Sequence, residues 1–75
     1  MYECIGKQTV NFKKKNGEDV TFVKIFANYE EKNIDGFGCE VFNVNPVKSS
    51  LIEIGDSFEP LYNKFGKVQE LRRIE

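Results

Sequence analysis

Short runs rich in valine, isoleucine, phenylalanine and threonine alternate with clusters of turn-forming residues, a pattern that predicts strands. It places them over 2–15, 19–27, 38–44, 57–63 and 67–74. Asn16-Gly17 separates the first two and predicts a hairpin with a two-residue type I′ turn, whose central positions both need positive φ. The stretch NYEEKNIDGF, 28–37, reads as a loop, Pro46 ends the third strand, and Gly55-Asp56 and Asn63-Lys64-Phe65-Gly66 read as turns. Ser50, three residues before Glu53, suggests a capping box and one helical turn over 49–53. Pro60 marks the fourth strand as an edge or the site of a bulge. Five short strands with at most one short helical turn give an all-β class. The architecture expected is a small five-stranded barrel, either the Greek-key OB-fold or an SH3-like barrel. Gly6, inside the long first strand, would let it bend at a barrel corner.

The turn at Asn16-Gly17 sets an expected pairing. One face of the hairpin holds Val10 with Val23, Phe12 with Thr21, Gln8 with Ile25 and Gly6 with Ala27, and reads as the core face. The other holds Lys7 with Phe26, Thr9 with Lys24, Asn11 with Phe22 and Lys13 with Val20. Lys14 and Lys15 continue it at the tip. Aromatic rings and lysines would then share the side away from the core.

At 75 residues the chain is one domain, 1–75, and its small core favours a partner subunit. Apolar residues make up 40% of the chain, including seven Phe and three Tyr, which is enough to fold. The opening MYECIGKQTV lacks the basic and apolar regions of a signal peptide, and no run reaches membrane-spanning length. A cytoplasmic location is expected, with Cys4 and Cys39 as reduced, buried thiols. There is no histidine, no cysteine cluster and no phosphate-cradling glycine motif. No metal, cofactor or enzymatic activity is expected.

The net charge of −1 hides an uneven distribution. Residues 1–26 carry five lysines against three acids, 27–59 two lysines against seven acids, and 60–75 four cations against two acids. If the two basic ends meet in space, they form a basic patch. Single-stranded nucleic acid offers flat bases to stack and phosphates to neutralise, and aromatic platforms set among cations suit both. The candidate contacts are stacking by Phe22, Phe26, Phe65 and Tyr62, and phosphate neutralisation by Lys7, Lys13, Lys14, Lys15, Lys24, Lys64, Lys67 and Arg72. Phe65 stands out, because a ring at a hairpin tip between Lys64 and Lys67 gains little burial there. The alternative is a protein-interaction or structural module whose aromatic face is a dimer or partner interface, where Tyr, Phe and Arg are also enriched.

Phe65-Gly66 at the tip, followed by Leu71-Arg72 on the next strand, resembles the C-terminal hairpin of the single-stranded DNA-binding proteins of filamentous phages. KKKNGEDVTF is similar in kind to that family's basic hairpin, with Phe22 in the aromatic role, but does not align residue by residue. The resemblance covers about 15 of the 75 residues. It implies an OB-like barrel and a homodimer that binds single-stranded DNA, RNA being a variant. Phe65 would stack on a base and Arg72 approach phosphate. Replication or transfer of a phage or mobile element would be the setting. The acidic middle departs from a strongly basic binder, and Arg73 falls one residue out of the family's pattern, so no role is carried to it.

Overall fold

The computed structural model describes residues 1–74. Five strands, β1 (Tyr2–Lys13), β2 (Asp19–Tyr29), β3 (Gly38–Val44), β4 (Ser57–Tyr62) and β5 (Val68–Ile74), form one antiparallel sheet in the order β3-β2-β1-β4-β5. A four-residue helix, α1 (Pro46–Ser49), joins β3 to β4. The expected all-β class with one short helical turn is therefore observed. No ladder joins β3 to β5 among the described residues, so the sheet is open. No helix among them is long and apolar enough to cross a membrane.

The helical turn sits upstream of the expected 49–53. Asn45 is its N-cap, accepting a hydrogen bond from the Lys48 backbone N–H at 2.7 Å, and Pro46 occupies the first turn. Asn followed by Pro outweighs the capping box, because proline has no N–H to leave unsatisfied and its φ already suits a helix. Ser50 becomes the C-cap, and the Glu53 N–H is bonded by Asp56 instead.

The first hairpin departs from its expected register by one residue. Gly17 N–H donates to the Lys14 carbonyl and Lys14 N–H to the Glu18 carbonyl, both at 2.9 Å. The loop therefore has three residues, Lys15-Asn16-Gly17, a β-turn followed by Gly17 in the left-handed region (φ 85°). Asn16 accepts from the Glu18 N–H, and its own φ is not positive. A type I turn with a glycine bulge uses the same Asn-Gly pair as a type I′ turn but adds one residue. The partners become Val10 with Phe22, Phe12 with Val20, Gln8 with Lys24 and Gly6 with Phe26. The β5 hairpin repeats this closure, with Asn63 N–H to Lys67 O, Gly66 N–H to Asn63 O, and Gly66 at φ 77°.

A second irregularity lies between Cys4 and Gly6, where Cys4 pairs with Ala27 but Gly6 with Phe26. The bulge reverses which alternate residues of β1 face the core. Before it Tyr2 and Cys4 face inward; after it the inward positions are Lys7, Thr9 and Asn11. The irregularity falls next to Gly6, where a bend was expected.

The core comprises Cys4, Val23, Ile25, Ala27, Phe42, Val44, Ile52, Phe58 and Leu71. As expected, β2 points Val23, Ile25 and Ala27 inward and leaves Phe22 and Phe26 on the other side. Tyr2 binds the halves of the sheet together. Its ring lies edge-on to Tyr29 and Phe42 and stacks on Phe58, with centroids 5.1–5.8 Å away. Tyr29 can lie across β3 because its partner is Gly38, where a Cβ would fall 2.4 Å from the ring. Cys4 is buried, which pushes its thiol pKa up, while Cys39 is exposed and departs from the expected burial.

The Tyr2 hydroxyl donates to the Glu40 carboxylate at 2.7 Å, and this bond raises the Tyr2 pKa well above the ordinary tyrosine value. The folded chain keeps that proton after the unfolded chain has lost it. The stabilisation is therefore complete below about pH 10 and declines as pH rises beyond it. Tyr2→Phe should cost about 1 kcal/mol near neutrality and flatten the alkaline fall in melting temperature. Thermal melts between about pH 8 and 11.5 check this, and parallel curves for both proteins would refute it.

Candidate nucleic-acid interface

The candidate contacts fall into three separate groups. At the first hairpin tip stand Lys13, Lys14 and Lys15. Lys13 is opposite Asp19, and Lys14 forms a 4.0 Å ion pair with Glu18, both partners more than half exposed. Such a pair contributes little to stability, but it lowers the positive potential there. Only Lys15 has no acid paired with it across the strands or in an ion pair among the described residues.

On the outer face of the β1-β2-β3 sheet are Phe22, Lys24 and Phe26. Expected beside them were Lys7 and Lys13, and the observed register removes both, because a one-residue shift sends alternate side chains to opposite faces. Lys7 lies on the inner side and donates to the Ser49 and Ile52 carbonyls at 2.7 and 2.8 Å, closing the end of α1. Val20 stays on the outer face as expected, and that face gains Val10, Phe12 and Val41. Sequence reasoning missed these last three. The signal was the alternation of Val10 and Phe12 with Thr9 and Asn11, matched across the hairpin by Val20 and Phe22 around Thr21.

The third group is the hairpin of β4 and β5. Asn63 Oδ1 accepts from the Phe65 and Lys67 N–H groups at 2.9 and 3.1 Å, which fixes the tip from within. Phe65 is 74% exposed, and the Lys64 ammonium lies 5.2 Å from its ring centroid. Tyr62 is exposed on β4 opposite Val68. Arg72 is exposed on β5 opposite Glu59, and the neighbouring Arg73 makes a 4.0 Å ion pair with Asp56.

The two basic tips do not merge. β4 begins beside Glu3 and runs antiparallel to β1, so the second tip leaves from the end of β1 remote from Lys13. Eleven residue steps along β1 span about 36 Å at strand spacing. The expected single basic patch is therefore two patches at opposite ends of the hairpin.

Comparison of the chain with protein families, curated proteins and solved structures finds no match.

Proposed function

We propose that this chain is a non-enzymatic, sequence-tolerant single-stranded DNA-binding protein, acting as a homodimer in replication or transfer of a phage or mobile element. The observation that carries the reading is Phe65. Its ring stands 74% exposed on an internally braced tip, between Lys64 and Lys67, with no acid in residues 63–69. Leaving a phenylalanine in water has no folding benefit, whereas a base gives it a partner worth about 1–3 kcal/mol. The open sheet is compatible with an OB-like barrel. β1 pairs along both edges, β3 and β5 are the unpaired edges, and α1 reaches β5 through Lys48 Nζ to Gln69 O at 2.6 Å. Joining those edges would complete a five-stranded barrel. Phosphate contacts fall to Lys64, Lys67 and Arg72, with Lys15 at the far tip serving a longer strand.

A protein-interaction module is the second reading, favoured by the aromatic outer face and its single cation, Lys24. Fluorescence anisotropy with labelled dT oligomers decides between them. With three phosphates neutralised, affinity should fall roughly twentyfold between 50 and 200 mM salt. Absence of binding at 50 mM salt would remove the nucleic-acid reading, and equal affinity for an rU oligomer would widen it to RNA.

A further inference from the structure

We infer that the outer face of the β1-β2-β3 sheet is the surface on which two copies of this chain associate. This goes beyond nucleic-acid binding and does not rest on it. The far half of the β1-β2 hairpin projects past the core, so its inward side meets solvent. That side is polar: Thr9, Asn11, Lys13, Asp19 and Thr21 are all exposed, with Thr21 Oγ1 donating to Asn11 Oδ1 at 2.6 Å. The apolar side of the same segment is the outer one. There Val10, Val20 and Phe22 are half-buried among themselves, and Phe12 is 46% exposed with its ring edge-on to Phe22 at 6.0 Å. Phe26 and Val41, the latter 47% exposed, carry the surface across β2 onto β3.

Charge identifies the occupant. About one residue in three of this chain is charged, yet Lys24 is the one charge among the outward positions from Gly6 to Phe12, Val20 to Phe26, and Val41 to Asn43. A polyanion or an acidic peptide would find one cation here, and a basic peptide no counter-charge. A second copy presents the same surface with its single charge and meets no like-charge repulsion if Lys24 lies off the axis, beside Gln8 or Asn43. A two-fold contact needs only such self-complementarity. Seven residues each of β1 and β2 at about 3.3 Å, with β3 beside one end, make a platform roughly 23 Å long and 10 to 14 Å wide. Two platforms face to face remove on the order of 1,000 Å² of accessible surface, the lower limit of specific association. The dimer should therefore be reversible, with the depletion of charge typical of interface centres.

Sedimentation equilibrium from 1 to 200 µM tests this on the intact chain, with Phe12→Glu and Val41→Glu beside it. Both sites are nearly half exposed, so the fold should tolerate them. Circular dichroism checks this, and the serine variant replaces any glutamate that unfolds. Wild type should move from 8.7 kDa towards twice that mass as concentration rises, and each variant should weaken association at least tenfold. A wild-type monomer at 200 µM overturns the inference, as does a dimer indifferent to both substitutions. Titration of the same samples with dT separates the two readings. Variants that lose DNA binding while their mass is unchanged would assign the face to the ligand and overturn the dimer surface. Loss of the dimer with DNA binding retained would support it, whatever the fate of the Phe65 site.

Discussion

Phe58→Ala should remove about 3–5 kcal/mol of stability, a large share of what holds the chain folded. Phe58 has no exposed surface, stacks on Tyr2 and meets Phe42 edge-on, with centroids 5.8 and 5.6 Å away. It stands where the sheet is weakest. β1 and β4 pair only at Tyr2 with Phe58 and Glu3 with Ser57, continued by two hydrogen bonds between Cys4 and the Gly55-Asp56 turn. So short a ladder leaves the β4-β5 hairpin held to the rest mainly by buried side chains. Truncating a buried Phe costs about 3–5 kcal/mol through lost transfer energy and the cavity left behind. A domain of 75 residues has only about 4–11 kcal/mol in all. Urea unfolding followed by tyrosine fluorescence and circular dichroism measures the loss. Protein concentration should be held constant, since association would add to the apparent stability. A loss below about 1 kcal/mol would mean that the hairpin is held by its ladder instead.

Phe65→Ala should show the reverse balance, with weakened binding to single strands and an unchanged fold. Its ring packs on no core residue, and Asn63 rather than Phe65 holds the turn through two backbone hydrogen bonds. Removing an exposed ring changes stability by about 0.5 kcal/mol or less. Losing one stacked base weakens binding by about 1–3 kcal/mol, roughly 5- to 150-fold in affinity. A melting curve and a dT titration on one sample separate the two effects. A drop of several degrees in melting temperature with unchanged affinity would make Phe65 a structural residue and remove the main support for the nucleic-acid reading. The two substitutions form a pair: one hairpin carries its fold-determining ring at its root and its candidate contact ring at its tip.

Much of this was legible along the chain. The five strands could be read because β-branched and aromatic runs between turn formers leave few alternatives. The inward set of β2, Val23, Ile25 and Ala27, followed from strict alternation, and it placed Phe22 and Phe26 outward correctly. Phe65 at an exposed tip followed from Asn63 and Gly66, which allow one tight turn there. These are local properties, set within a few residues by backbone sterics and by the two-residue period of a strand.

What needed the tertiary structure was everything that depends on where a neighbour lies. Asn-Gly serves a two-residue and a three-residue turn equally well, so local sequence left the register of β1 open by one residue. Packing resolved it. The bulge at Ile5 lets Tyr2 and Cys4 face Phe58 and Ala27 at the root, while Val10 and Phe12 turn outward beyond the reach of the core. Because the side-chain period is two, those single-residue choices moved Lys7 and Lys13 off the aromatic face and exchanged an expected basic platform for an apolar one with a single cation. The pairing of Lys14 with Glu18, the use of Lys7 to close α1, and the separation of the two basic tips likewise depend on distances that composition does not encode. The strands and the Phe65 tip were determined by sequence alone, through short-range sterics. The surface that Phe22 and Phe26 belong to was decided only in three dimensions, because a register shift that is small in turn energy reverses the face of every residue after it.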